Sequence, residues 1–302
     1  MNGAVITVGS FDGVHLGHRA VLEEIADRAK RSDRRSVLVT FVPHPMEVVN
    51  PEAAPRLLTL GHERREILAQ SELDAVAFLP FTRTLSHYAP EEFVRLLLDR
   101  FDMRELVIGH DHGFGRGRAG DMGTLRALGD KLRFAVDVVA PVKVGGREVS
   151  STLIRRAVAG GDLDTAARLL GRAYSMTGLV IPGAGRGRDL GYRTINLEAP
   201  DRRKLLPPEG VYAVRVEWKD GASGAMMHLG PRPTFGEKAL SIEAHLLDAD
   251  PDLYGSEVKV SWTARLRDVA RFASAEALKQ QLDRDFVAAR KALAVPPGGT
   301  RG

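Results

Sequence analysis

The alternation of apolar and polar positions changes character once along the chain. In the first part, near-continuous apolar runs at Val5–Gly9, Ser36–Phe41, Ala75–Leu79, Leu106–Gly109 and Val136–Ala140 have the texture of strands covered on both faces. The stretches between them have helical spacing. Leu16–Arg31 sets Val21, Leu22, Ile25 and Ala29 on one face, and Gly61–Gln70 and Met122–Leu132 are further helix candidates. Pro90, followed by Glu91 and Glu92, opens another helix at the turn where a missing N–H and negative charge are best tolerated. Strand and helix in alternation predict a parallel, doubly wound α/β sheet with right-handed crossovers.

Two short helices, Ser151–Ala159 and Leu163–Leu170, separated by Gly160, Gly161 and Asp162, end this pattern. Beyond Arg172 the runs are strand-like at Ser175–Ile181, Val211–Trp218, Ala225–Leu229, Leu240–Leu247 and Val258–Thr263, with Asp220-Gly221 as a turn signal. One long helix, Ala275–Leu293, follows. The second part therefore predicts an antiparallel β-barrel or sandwich with a terminal helix. The division expected is 1–172 for the α/β domain, 173–295 for the second domain and 296–302 for a frayed tail.

Composition narrows the chemistry. A length of 302 residues fits two domains, and 44% hydrophobic with 27% charged residues is ordinary globular composition. With no cysteine, a disulfide framework, a thiolate nucleophile and cysteine-ligated metal centres are excluded. The first apolar run lacks a basic leader and is cut short by Asp12, and no run approaches the ~18 apolar residues of a membrane helix, so a cytoplasmic protein without a membrane partner is expected. A net charge of +4 permits anionic partners, but 6% aromatics and no block of like charge argue against nucleic acid. The sequence sets no oligomeric state.

The densest chemistry lies between the first strand and the first helix, in Gly9-Ser10-Phe11-Asp12-Gly13-Val14-His15-Leu16-Gly17-His18. Neither the phosphate loop with Gly-Lys-Ser/Thr nor the three-glycine dinucleotide pattern is present. A glycine-bearing turn nonetheless feeds a helix N-terminus, where free N–H groups and the helix dipole favour an anion. His15 and His18, three residues apart, fall on one side of that turn and can donate hydrogen bonds to a triphosphate as a nucleotidyl group transfers. Two surface histidines, or half of a zinc site without an obvious third ligand, are the competing readings of the pair. Further polar clusters follow other strands: Pro43-His44-Pro45, His110-Asp111-His112 and Ser150-Ser151-Thr152, the last with Arg155 one turn into its helix. The carboxyl ends of parallel strands share one edge, so these clusters are expected to converge on one crevice with the first loop. Hydroxyls, N–H groups and Arg155 at a helix start suit phosphate oxygens, although an N-cap beside a solvated arginine explains them equally.

In the second part, Gly183-Ala184-Gly185-Arg186-Gly187-Arg188-Asp189-Leu190-Gly191-Tyr192-Arg193-Thr194-Ile195-Asn196 combines close backbone approach with a hydroxyl and an amide oxygen two residues apart. That pair suits a hard magnesium ion, while a flexible basic hairpin is the plainer alternative. Glu243 alternates with Ile242, Ala244 and Leu246, so its carboxylate points away from the apolar face. Arg265 and Arg267 are candidates for steering phosphates.

Taken together, the first loop, Thr40-Phe41-Val42-Pro43-His44-Pro45, Gly109-His110-Asp111-His112-Gly113-Phe114-Gly115 and the Ser-Ser-Thr-x-x-Arg run resemble the Rossmann-like nucleotidylyltransferase module of bacterial bifunctional riboflavin kinase/FAD synthetases. The glycine-rich segment resembles the flavokinase signature, and Gly210-Val211-Tyr212-Ala213, Arg232-Pro233-Thr234-Phe235-Gly236, Ser241–Asp248 and Asp252-Leu253-Tyr254-Gly255 extend the similarity to about residue 293. The resemblance implies riboflavin, FMN and ATP as substrates, FAD as product, Mg2+ as cofactor, and a kinase barrel at the C-terminus. It assigns phosphate contacts to His15 and His18, with Gly9, Phe11, Asp12, Gly13, Gly17, Ser150, Ser151, Thr152 and Arg155 around the first ATP and His44 and Asp111 toward the flavin. For the kinase it implies Gly185, Arg186, Gly191, Thr194 and Asn196 at Mg-ATP and Glu243 as base. Three departures stand out: Arg193-Thr194-Ile195-Asn196 replaces the usual Pro-Thr-Ala-Asn, Val42 sits where an acidic residue is frequent, and the chain begins almost at its first strand. The first departure leaves open an adenylyltransferase for FMN, or for another phosphorylated acceptor, beside an impaired or non-catalytic barrel.

Overall fold

The structure is a computed structural model that describes residues 3–110, 122–183, 194–231 and 240–294. It divides into two compact units, Met1–Ser151 and Thr152–Gly302.

In the first unit, β1 (Ala4–Val8), β2 (Arg35–Val42), β3 (Ala75–Pro80), β4 (Met103–Gly109) and β5 (Ala135–Val139) form a parallel sheet of order β3-β2-β1-β4-β5. Every residue of β1 is buried, the polar Thr7 as well as its four apolar neighbours. Period two then divides the strand between two cores. Ala4, Ile6 and Val8 join Phe93, Leu97 and Leu125 on one face, while Val5 joins Val21, Leu22 and Ile25 on the other. The helix that supplies the second set is α1 (Leu16–Ser32), and α2 (Pro45–Val49), α3 (Gly61–Leu68), α4 (Arg83–Ser86), α5 (Pro90–Phe101) and α6 (Met122–Leu132) make up the rest. A hairpin of β6 (Lys143–Val144) and β7 (Arg147–Glu148), together with α2 and α4, is too short to leave a periodic trace in the sequence.

The second unit contains α7 (Ser151–Ala159), whose first residue closes the preceding unit, and α8 (Leu163–Leu170). It continues with β8 (Ser175–Ile181), β9 (Ile195–Leu197), β10 (Gly210–Trp218), β11 (Gly221–Gly230), β12 (Ser241–Leu246) and β13 (Glu257–Arg267). These strands close into a barrel of order β10-β11-β12-β9-β8-β13, which selects the barrel over the sandwich. The hairpin between β10 and β11 turns at Lys219 and Asp220, with Gly221 already paired to Trp218, one residue earlier than the sequence signal suggests. The terminal helix, Ala275–Leu293, covers Val211, Ala213, Met226 and Ala264 with Ala289, Leu282 and Leu293. It is pinned by Arg267, whose Nε and Nη2 donate to the Asp285 carboxylate at 2.9 and 2.7 Å. Arg265 donates to the Glu209 carbonyl and to Asp268 at 2.8 and 2.6 Å. Both arginines are thus engaged within the barrel's own framework.

Candidate active sites

The first site is built at the carboxyl edge of the parallel sheet, where the chain leaves β1. Strand order reverses between β1 and β4, so the loops after these strands flank the crevice at which open α/β sheets take ligands. Three residues of the β1–α1 loop, Phe11, Gly13 and Val14, have φ values of 47°, 84° and 39°. A β-branched residue pays a steric penalty there, so surrounding bonds must hold it. Several do. Asp12 is fully buried, and its carboxylate accepts from Leu58 N–H, Thr59 N–H and Thr59 Oγ1 at 3.0, 2.9 and 3.1 Å. Gly13 N–H donates to Thr59 Oγ1 at 3.0 Å, and Ser151 Oγ donates to the Asp12 carbonyl at 3.0 Å. Thr40 Oγ1 and Arg64 Nη1 donate to the Ser10 carbonyl at 3.1 and 2.5 Å. Burial lowers the pKa of Arg64, and the charge of Asp12 acts in the opposite direction.

The loop delivers two histidines to the start of α1. His15 is the N-cap: its Nδ1 accepts from His18 N–H at 3.2 Å, and His18 Nδ1 accepts from His15 N–H at 3.4 Å. An Nδ1 that accepts carries no proton, so each neutral ring holds its hydrogen on Nε2 as a donor. The rings stack with centroids 3.6 Å apart and planes 15° from parallel, and Phe11 lies 4.6 Å from His18. Gly17 makes room for this arrangement, since a Cβ there would sit 3.2 Å from the His15 ring.

Of the other expected residues, Gly9 follows β1 directly, and His44 caps α2, its Nδ1 accepting from Met46 N–H at 3.2 Å. The Val42–Pro43 peptide before it is cis. Ser150 immediately precedes α7, while Thr152 and Arg155 lie on that helix within the second unit. His110 directly follows β4 and meets Glu148 at 3.1 Å through Nε2. Asp111 and His112 lie outside the described residues. Sequence reasoning passed over Leu58, Thr59 and Arg64, which act on the loop from about fifty positions away.

In the second unit, Asn196 on β9 and Glu243 on β12 are register partners in an antiparallel pair, so their side chains share a face. β12 alternates strictly between partly and fully buried positions, and Glu243 is on the partly buried side, as period two predicts. Its Oε1 accepts from Ser241 Oγ at 2.8 Å. His228 on β11 is the next register partner of Glu243, with Nε2 at 3.1 Å from both the Gly230 and Pro231 carbonyls. Asn196, Glu243 and His228 therefore form a row across three strands. The Asn196 amide fills the space that a Cβ on Gly183 would occupy. Thr194 lines an adjoining cleft with Val180, Ile195, Asp250, Asp252 and Tyr254. Gly185, Arg186, Gly191 and Arg193 lie outside the described residues, as does Arg232–Gly236. Among the described residues, no group of three or more histidine and carboxylate side chains could hold a metal ion.

A doubly wound sheet with a histidine-capped helix at its switch point, followed in one chain by a closed barrel with an Asn–Glu row, defines a two-unit nucleotide-dependent transferase. Family models sort the two parts: the FAD synthetase model matches residues 1–153 and the riboflavin kinase model residues 170–293. The bifunctional riboflavin kinase/FMN adenylyltransferase of Pseudomonas fluorescens is 40% identical over 297 residues, covering 97% of this chain and 94% of that protein. Its counterpart from Escherichia coli (strain K12) is 35% identical over 291 residues, covering 96% and 92%. The chain belongs to the bifunctional riboflavin kinase/FMN adenylyltransferase family. Among solved structures, the macrolide-efflux protein from Streptococcus pneumoniae superposes with a TM-score of 0.86 at 30% identity, covering 96% of this chain and 94% of that one. That protein's description concerns transport, whereas no helix among the described residues here is long and apolar enough to cross a membrane.

Proposed function

We propose that this chain phosphorylates riboflavin to FMN with ATP and then transfers AMP from a second ATP to FMN, releasing pyrophosphate and FAD. The observation that carries the adenylyl-transfer step is the His15–His18 stack at the N-terminus of α1, each ring presenting an Nε2–H donor beside a rigidly held loop. As an FMN phosphate oxygen attacks the α-phosphorus of ATP and pyrophosphate leaves, negative charge grows on the bridging and peripheral oxygens. Donors fixed in advance lower the cost of that charge.

In this reading, Gly9, Phe11, Gly13 and Gly17 shape the ATP loop and Asp12 holds it from within. Ser150, Ser151, Thr152 and Arg155 serve the triphosphate, and His44 and Asp111 face the flavin. In the second unit, Glu243 takes the proton from the ribityl 5′-hydroxyl as its oxygen attacks the γ-phosphorus of ATP and ADP leaves. Thr194 and Asn196, with Gly185, Arg186 and Gly191, place the nucleotide. A hydroxyl and an amide oxygen, with no metal-holding carboxylate cluster among the described residues, fit Mg2+ held mainly by ATP phosphates, which would supply charge neutralisation when bound. The domains proposed are 1–172 and 173–295, with 296–302 as a tail, in a cytoplasmic enzyme with neither nucleic-acid nor membrane partners.

Incubation with riboflavin, ATP and Mg2+, followed by chromatography of the flavins, tests the whole reading. FMN and then FAD are expected, and the absence of both defeats it. FAD made from added FMN, with none of either from riboflavin, would instead mark a barrel disabled by Arg193 and Ile195.

A further inference from the structure

We infer that Arg64 is a positioning residue for adenylyl transfer, a latch that fixes the loop after β1 against the C-terminal end of β2. The inference rests on the adenylyltransferase reading and adds to it a residue outside every motif at the site. Arg64 lies on α3 and is only 5% exposed. Its Nη1 donates to the Ser10 carbonyl at 2.5 Å and its Nη2 to the Phe41 carbonyl at 2.7 Å. Ser10 immediately precedes the strained Phe11–Val14 turn, and Phe41 lies three residues before His44. One planar fork therefore sets the separation of the segment proposed for ATP from the segment proposed for the flavin.

Three features favour a directional role over plain packing. The guanidinium lies over the Phe78 ring, 5.6 Å from its centroid, a contact that favours a cation there. Its Nε is buried without a hydrogen-bond partner, so the site accepts a desolvation cost that an apolar side chain of similar length avoids. What the guanidinium adds is one bond to the loop after β1 and one to the end of β2, a geometry that the point-like ammonium of lysine does not reproduce. The Ser10 carbonyl also accepts from Thr40 Oγ1 at 3.1 Å, so Thr40 holds one end of the same latch.

The test uses the full chain carrying Arg64→Lys, Arg64→Met or Thr40→Val. FAD formation from FMN and ATP gives kcat and both KM values, phosphorylation of riboflavin on the same sample is the internal control, and thermal melting reports folding. A displacement near 1 Å costs about 100-fold in rate, so kcat for FAD formation is expected to fall at least about tenfold in both Arg64 variants and about threefold in Thr40→Val. KM for ATP should stay within about threefold, and riboflavin phosphorylation within about twofold, in the same samples. Recovery of both melting temperature and kcat by lysine would show a merely structural cation and overturn the inference. Unchanged kcat in Arg64→Lys and Thr40→Val would overturn it too, even if the methionine variant does not fold. If the unsubstituted chain makes no FAD from FMN, the adenylyltransferase reading itself falls and the latch with it.

Discussion

At the scale of single residues, the two sites ask different things of their side chains. His15 and His18 are locked by each other's backbone N–H, so neither is free to shuttle a proton through Nδ1. Their value is as fixed Nε2–H donors. Replacing both by alanine is expected to lower FAD formation at least about 100-fold while FMN formation from riboflavin continues, as flavin chromatography of the two reactions will report. Glu243 has the complementary role. Its carboxylate is partly exposed, oriented by Ser241, and opposite Asn196. Glu243→Gln keeps the shape and removes the base, so FMN formation should fall about 100-fold or more while FAD is still made from supplied FMN. Equal loss of both products in either variant would defeat the division of labour. The histidine pair, the Thr194–Asn196 spacing and the outward aim of Glu243 were legible in the sequence because each is local, set by one helical turn or by period two. The inward turn of the Asp12 carboxylate was not. Its partners Leu58 and Thr59 lie about fifty positions away, and nothing in a Gly-Ser-Phe-Asp-Gly string distinguishes a phosphate contact from a loop anchor.

At the scale of elements, apolar periodicity carried the fold. A buried strand such as β1 is apolar at all positions but Thr7, whereas β9 is three residues long and shows no pattern. Polar pins between elements were invisible for the same reason as the loop anchors, and two of them lead to measurements. Asp74 joins the start of β3 to β2, accepting from Ser36 N–H and Oγ at 2.7 and 2.8 Å. The backbone N–H bond, then the hydroxyl, hold its pKa below the usual aspartate value. A carboxyl with a depressed folded pKa contributes stability that is complete above its unfolded value near 4 and lost as pH falls through the folded one. Asp74→Asn should therefore flatten the decline in urea midpoint between about pH 4 and pH 2, and an unchanged slope would remove Asp74 from the account. At the other end of the chain, Asp285 is 3% exposed and receives Arg267 through two nitrogens. Asp285→Ala leaves that guanidinium half-buried beside the terminal helix, and a loss of about 3 kcal/mol is expected in chemical denaturation of the barrel. A loss below about 0.5 kcal/mol would make the pair a surface ornament.

At the scale of the whole molecule, each unit carries its own core. The sheet's two apolar clusters draw only on residues of Met1–Ser151, and the cluster beneath the terminal helix only on Thr152–Gly302. No residue proposed for adenylyl transfer is also proposed for phosphorylation, so the intermediate need only leave one site and reach the other. The two defects should then complement in solution. A chain with both His15→Ala and His18→Ala makes FMN, and a chain with Glu243→Gln converts FMN to FAD. Mixed in equal amounts with riboflavin and ATP, they should produce FAD at a rate limited by the slower surviving step, about half that of the unsubstituted chain at the same total concentration. FAD in the mixture but in neither variant alone establishes that FMN is released and rebound. FMN accumulating without FAD, when the Glu243→Gln chain still uses added FMN, would mean that the intermediate does not pass freely between chains, and that the two sites work as one device despite separate cores.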